Sequence, residues 1–314
     1  MELVSICVTT YNRASLITNT IQSVLNQTYT NFEILIVDDF STDSTQELVK
    51  NELIPLYSRI HYFRHTENKG LASARNTAIF NSKGKYFTFI DDDDLWENNF
   101  LEIFVKVASN FDTTYSFCTS IISKKQEVKS LKASVKSFVQ AGYTPPVASQ
   151  FYFTNTLKSF GGYDVNIKSG VDHDLWFTLA HNNYNLVWLN KKLSKVNKIE
   201  SSNRMTFNYN KRVNGIKKSL IIWEKRIGDS FGEGFFMYLK ENYDYNTYKK
   251  FIIHSAKKKN FILFIELSFK LPKKLFFLDL KRFVKSKINK KSLLIHPTFN
   301  LFSKSKIEII NDDF

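Results

Sequence analysis

The sequence predicts an α/β protein built on a doubly wound, mostly parallel sheet, followed by a basic, mostly helical C-terminal region. Three observations predict it. Short β-rich runs alternate with helically spaced segments over the first ninety residues. Three of those runs end in clusters of polar residues. The charge is split unevenly along the chain, with 16 Lys+Arg against 19 Asp+Glu in residues 1–190 and 28 against 11 in residues 191–314.

Val4 to Thr9 is a short, mostly apolar, β-rich run, which reads as a strand. From Ala14 to Gln27, apolar residues recur at Leu16, Ile17, Ile21, Val24 and Leu25, which is helical spacing. The alternation continues with strands at 32–37, 60–64 and 86–90 and helices at 42–51 and 71–82. Strands separated by helices imply parallel pairing, with helices on both faces of the sheet. Such sheets bind ligands beyond the carboxyl ends of their strands, where strand order reverses.

Composition narrows the function classes. With 314 residues, 43% hydrophobic and 24% charged, the chain is globular, and its longest apolar runs are too short to span a bilayer. Met1-Glu2-Leu3 leads directly into the first strand, so no secretory signal is expected. Two cysteines, Cys7 and Cys118, give neither a disulfide framework nor zinc-ligand spacing, which fits a cytoplasmic protein.

The strand ends carry the chemistry. The first ends in Thr9-Thr10-Tyr11-Asn12-Arg13, the second in Asp38-Asp39-Phe40-Ser41 and the fourth in Asp91-Asp92-Asp93-Asp94; the third leads through Asn68-Lys69-Gly70 to Arg75 and Asn76. Four adjacent carboxylates repel one another unless something offsets them. The alternatives are a solvated acidic turn and a hard divalent cation, Mn2+ or Mg2+, which takes carboxylate oxygens and leaves positions for phosphate.

These blocks, with Ile34 to Asp43, Asn68 to Asn76 and Phe89 to Asp94 in order, resemble glycosyltransferase family 2, the inverting enzymes of GT-A fold. A weaker resemblance runs on through Phe160-Gly161-Gly162-Tyr163-Asp164 and Val171-Asp172-His173-Asp174-Leu175-Trp176. The resemblance implies a nucleotide-sugar-binding half at 1–95 and an acceptor-binding half at 96–205; the charge and residue pattern leave a basic, mostly helical region at 206–314. Thr10, Tyr11 and Asp39 are then expected around the base and ribose of a nucleotide-sugar, commonly a UDP-sugar. Arg13, Arg75, Asp91 and Asp92 complete the donor-contacting set, Asp93 is the expected metal ligand, and Asp94 stands behind it. Arg75 either neutralises phosphate or braces Asp92 or Asp93.

The resemblance also supplies a base. An acceptor hydroxyl needs a carboxylate to take its proton, and Asp172 aligns with that residue; the alternative is that Asp172 only caps its helix. Val171 stands where relatives have an acidic residue, and His173 and Asp174 are candidates to restore that polarity. Relatives also carry a histidine about 25 residues later; none occurs in Val196 to Ser202, and Asn197, Lys198 and Arg204 are the nearest substitutes. Trp96, Phe151, Tyr152, Phe153, Tyr163 and Trp176 are each either core or a stacking face for the acceptor, and Thr144 to Val147 reads as a turn before a strand.

The expected activity is therefore a hexosyl- or N-acetylhexosaminyltransferase acting on a glycan or lipid-linked acceptor of a bacterial surface polysaccharide or lipooligosaccharide. Beyond Lys191, phenylalanines and lysines interleave, as at 261–278, either on an amphipathic surface for anionic lipid or on a helical subdomain packed against the core. Two rivals carry less. A nucleotidyltransferase would open with a glycine-rich loop, which Thr9 to Arg13 lacks. A nucleic-acid binder would interleave base-stacking aromatics with cations, and no such motif is present, so no nucleic-acid partner is expected; an inactive transferase-like module is opposed by the intact acidic set.

Overall fold

The computed structural model describes residues 1–120, 131–140, 145–195, 209–231, 235 and 308–309. In chain order the elements begin with β1 (Val4–Thr10), α1 (Ala14–Leu25), β2 (Phe32–Asp38), α2 (Thr45–Leu48), which runs into a π-helical turn at Val49–Leu53, β3 (Ile60–Arg64) and α3 (Leu71–Asn81). Next come β4 (Tyr86–Asp91), β5 (Leu95–Trp96), α4 (Phe100–Ala108), β6 (Tyr115–Ser120), β7 (Leu131–Ser134), α5 (Val135–Gln140), a 3-10 turn at Val147–Ser149 and β8 (Gln150–Phe153). The series closes with α6 (Thr154–Ser159), α7 (Val171–His181), β9 (Asn185–Lys192), β10 (Ser194–Lys195), α8 (Tyr209–Phe231) and β11 (Glu308–Ile309).

One large sheet has the order β11-β7-β9-β6-β8-β4-β1-β2-β3, and β5 pairs with β10 in a small ribbon. The expected parallel core is present: β3, β2, β1 and β4 are mutually parallel neighbours. Beyond β4 the sheet becomes mixed, because β8 runs antiparallel to both β4 and β6, while β6 and β9 are parallel. Register aligns the carboxyl ends, with Thr10 opposite Asp38 and Thr9 opposite Asp91. Strand order reverses at β1, whose successors β2 and β4 lie on opposite sides of it, so the crevice opens beside Thr10 and Asp91.

Helices cover both faces, as a doubly wound sheet requires. On one face Ile17, Ile21 and Val24 of α1 and Phe100, Phe104 and Val107 of α4 pack on Ile6, Val8 and Ile34 of the sheet. On the other, Ala74 and Ala78 of α3, Leu175 and Phe177 of α7 and Trp223 of α8 pack with Cys7, Leu35 and Phe89. Both cysteines are buried and free, as the sequence implied.

One helix start shifts, and one open alternative closes. The second helix starts at Thr45, not at 42, because Asp43 accepts hydrogen bonds from the backbone N–H groups of Thr45 (3.0 Å) and Ala14 (3.2 Å), tying the preceding residues into a loop. The candidate stacking aromatics are core. Trp96 lies 4.0 Å from the Phe100 ring in a parallel stack and donates its indole N–H to Ala148 O, and Phe151, Tyr152, Phe153, Tyr163 and Trp176 are all buried.

The turn expected at Thr144 to Val147 ends in the 3-10 turn leading into β8, with Thr144 outside the described residues. Asn197, Lys198, Arg204 and the segment at 261–278 also lie outside them. Among the described residues, no helix is long and apolar enough to cross a membrane.

Candidate active site

The floor of the crevice is built where β1 and β2 end. The Asp39 N–H donates to Thr10 O (2.9 Å), the Asn12 N–H donates to Ser41 Oγ (2.9 Å), and Asn12 Oδ1 accepts from the Thr42 N–H (2.7 Å). These bonds lash the two loops together and hold Asn12 and Phe40 at positive φ, 54° and 71°, a backbone state that non-glycine residues seldom adopt outside constrained sites. Tyr11 lies between the lashings and is 46% exposed, leaving its ring available for stacking. Thr10 is buried, and its hydroxyl lacks a hydrogen bond of acceptable geometry while lying close enough to Asp92 to favour that carboxylate's charge.

The Asp39 carboxylate is already occupied from within the chain. It accepts the N–H groups of Lys69 and Gly70 (2.8 Å each) and faces His65 Nδ1 at 2.8 Å. His65 Nε2 in turn meets Thr77 Oγ1 of α3 at 2.9 Å. Asp39 therefore fixes the entry to α3, and each of its oxygens keeps at most one lone pair for a ligand. Asp38 is likewise committed, accepting from Tyr62 Oη (2.6 Å) and the Ser41 N–H (2.7 Å).

In the acidic run, burial alternates. Asp92 and Asp94 are buried, whereas Asp91 and Asp93 are partly open to the crevice. Desolvation pushes Asp92 up to about 7, with Asp91 and Asp93 adding and Thr10 and Arg13 opposing. Asp91 is raised too, chiefly by desolvation, then by Asp172 and Asp93 against the pull of Arg75. Its side chain nevertheless keeps 43% of its surface open at the crevice mouth. Among the described residues, no three His, Cys, Asp or Glu side chains converge as a metal cage. A cation completed by substrate phosphates needs only one or two carboxylates, and Asp93 with Asp91 meets that requirement.

Arg75 links α3 to both β4 and α7. It rises from α3 into the core, is 1% exposed, and hydrogen-bonds both Asp172 at the start of α7 and Asp91 at the end of β4 (3.3 Å to the latter). Its guanidinium also lies over the rings of Phe89 (5.5 Å) and Tyr163 (5.4 Å). Burial opposes its charge, but Asp172, Tyr163 and Asp91 outweigh that and hold it protonated above its ordinary range. Arg75 thus braces Asp91 and Asp172, in place of the Asp92 or Asp93 contact expected from sequence, and it offers little surface to a phosphate.

The next residue on α3, Asn76, clamps the Gly161-Gly162-Tyr163 turn. It donates to Tyr163 O (2.8 Å) and accepts the Tyr163 N–H (2.7 Å), and a Cβ on Gly162 would lie 2.3 Å from its Oδ1. Asp172 itself keeps 42% of its side-chain surface open, facing the crevice. Asp174 does not supply polarity beside it: Asp174 is 1% exposed and bonded to α8. The sequence carries no local signal for the Arg75–Asp172 pair, whose members are 97 residues apart, nor for the Asp39–His65–Thr77 chain.

The family model described as glycosyl transferase family 2 matches residues 5–162. A glycosyltransferase of Rickettsia bellii, itself uncharacterised, is 36% identical over 219 residues, covering 68% of this chain and 31% of that protein. The Escherichia coli UDP-Glc:alpha-D-GlcNAc-diphosphoundecaprenol beta-1,3-glucosyltransferase WfaP is 46% identical over 96 residues, covering 31% of this chain and 37% of that one. The chain matches about a third of the length of these curated relatives. Among solved structures, the Pyrobaculum calidifontis mannosyltransferase PcManGT, in complex with GDP-Man and Mn2+, superposes with a TM-score of 0.56 at 19% identity, covering 81% of this chain and 75% of that one. At that identity the likeness is one of fold.

Proposed function

The chain belongs to glycosyltransferase family 2, and from that premise we propose a hexosyl- or N-acetylhexosaminyltransferase that uses a UDP-sugar. The acceptor is a hydroxyl of a glycan or lipid-linked saccharide in bacterial surface-polysaccharide or lipooligosaccharide synthesis. The observation that carries this reading is Arg75, which brings a partly open carboxylate, Asp172, to Asp91 at the end of β4, where the acidic run continues to Asp93.

In this reading Tyr11 stacks on the donor base, Thr10 offers its unsatisfied hydroxyl, the spare lone pairs of Asp39 accept from base or ribose, and Arg13, Asp91 and Asp92 border the donor. Asp93, with Asp91 beside it, would hold Mn2+ or Mg2+, which when bound offsets charge on the leaving diphosphate. Asp172 takes the proton of the acceptor hydroxyl as that oxygen bonds to the anomeric carbon. The bond from that carbon to the diphosphate oxygen breaks on the opposite face, and the centre inverts. Arg75 takes no part in bond making; it keeps Asp172 turned towards the crevice.

Support for uridine comes from WfaP, named for a UDP-Glc donor and a diphosphoundecaprenol-linked acceptor and 46% identical over 96 residues. Lys217, Lys218 and Lys225 are exposed on α8, which supports peripheral contact with the anionic inner face of the cytoplasmic membrane.

The test is nucleotide release from a panel of UDP-, GDP- and dTDP-sugars, with Mn2+ and with chelator. Release from a UDP-sugar that depends on the cation is the expected result. Binding and release of no nucleotide-sugar under any condition would contradict the reading.

A further inference from the structure

Asp174 stands two residues after Asp172, about 200° around the helix at 3.6 residues per turn, so the two carboxylates leave α7 on opposite sides. Asp172 meets Arg75 and the crevice; Asp174 points away from it and is 1% exposed. Asp174 accepts hydrogen bonds from Trp223 Nε1 (2.9 Å) and from the Arg226 guanidinium, both on α8, and from the Asp164 N–H (3.1 Å) in the loop before α7. Arg226 also reaches Thr178 Oγ1 (3.2 Å) one turn further along α7.

The start of α7 is pressed against α8 as well. Gly170 precedes the helix at φ 76°, and a Cβ there would lie 3.0 Å from Trp223 Cη2 and 3.2 Å from Ile216 Cδ1. Ser219 Oγ donates to Ser169 O at 2.8 Å. The first turn of α7 is therefore held between Arg75 in front and α8 behind, and α8 lies beyond the residues that the family model covers.

We infer that Asp174, Trp223 and Arg226 are positioning residues for Asp172, making α8 a working part of the catalytic centre. The inference rests on the reading of Asp172 as the base. A carboxylate that must meet an acceptor hydroxyl within hydrogen-bond reach tolerates little displacement, since an error of about 1 Å can reduce rate about a hundredfold. The buried Asp174 charge needs its α8 partners, because losing one leaves it without compensation. Such a loss is expected to move the turn that carries Asp172.

The test uses the full chain and compares Trp223→Phe, which removes the N–H donor together with the five-membered part of the indole and keeps an aromatic ring, with Arg226→Ala and Arg226→Lys. Each is measured alone and on an Asp172→Asn background for kcat, donor KM, UDP affinity and melting temperature. Arg226→Ala and Trp223→Phe are expected to lower kcat about tenfold or more with donor KM and UDP affinity unchanged, Arg226→Lys to restore part of the loss, and each change to add less than twofold once Asp172 is Asn. Should Arg226→Ala not fold, Trp223→Phe carries the same comparison. Wild-type kcat in a folded Trp223→Phe or Arg226→Ala protein, or losses that multiply with that of Asp172→Asn, would overturn the inference while leaving the base assignment standing. An Asp172→Asn enzyme with wild-type kcat would instead remove the underlying reading.

Discussion

At the scale of single residues, the crevice is governed by which carboxylates are compensated. Asp39 is held by the Lys69 and Gly70 N–H groups and His65, and Asp38 by Tyr62 and the Ser41 N–H, whereas Asp92 is buried with other carboxylates beside it. Its rise from an ordinary 3.8 to about 7 means that the folded state binds its proton more tightly than the unfolded state does. The resulting penalty is absent below about pH 4, grows as pH rises to about 7 and is constant above, with a ceiling of about 4 kcal/mol at about 1.4 kcal/mol per pH unit. Asp92→Asn should accordingly stabilise chelator-treated protein at pH 8 and leave it little changed at pH 4, as read by denaturant unfolding at the two pH values. Equal effects at both would show that Asp92 carries no such shift. For Asp93, the expected result of Asp93→Ala is at least a hundredfold loss of cation-dependent donor hydrolysis, about the scale of losing an electrostatic stabiliser; unaltered Mn2+ dependence would move the metal elsewhere.

At the scale of elements, what was legible in the sequence was local. The strands expected at 4–9, 32–37, 60–64 and 86–90 and the helices between them follow from periodicity and strand-end polarity and are present to within a residue at the strands, whereas Asp172 stands out only through the family resemblance. Contacts between distant elements were not legible. For Trp96 the sequence leaves core and acceptor-stacking readings open; β5 pairs with β10 and the indole stacks inward on Phe100. Arg75 and Asp174 stand out in the sequence, but their partners, Asp91 and Asp172 for Arg75 and Trp223 and Arg226 for Asp174, emerge only once α3, α7 and α8 are seen packed on one face of the sheet. The turn at 161–163 separates conformational strain from collision. Gly161 (φ 74°) has open space where a Cβ would go, whereas a Cβ on Gly162 (φ 76°) would strike Asn76. Gly161→Ala should cost about 1 kcal/mol for the left-handed backbone alone. Gly162→Ala should cost clearly more, above about 2 kcal/mol, because it also breaks the clamp that seats Tyr163 against Arg75. Chemical denaturation of the two variants side by side decides this, and equal costs would mean that the clamp yields freely.

At the scale of the whole molecule, one sheet runs from β3 to β11, and α8 packs back on the helix that bears Asp172. A truncation meant to test membrane contact must therefore keep α8. Cut after residue 240, the protein keeps Lys217, Lys218 and Lys225 and should retain both donor hydrolysis and co-sedimentation with anionic vesicles; loss of co-sedimentation would contradict lipid contact through α8. The central claim is that Arg75 assembles a single reaction centre from β4 and α7, with Asp172 as its base. It is tested most directly by measuring sugar transfer and donor affinity together in purified, folded Asp172→Asn protein. The account predicts transfer at least about a hundredfold below wild type with UDP-sugar affinity preserved; transfer at the wild-type rate would contradict it.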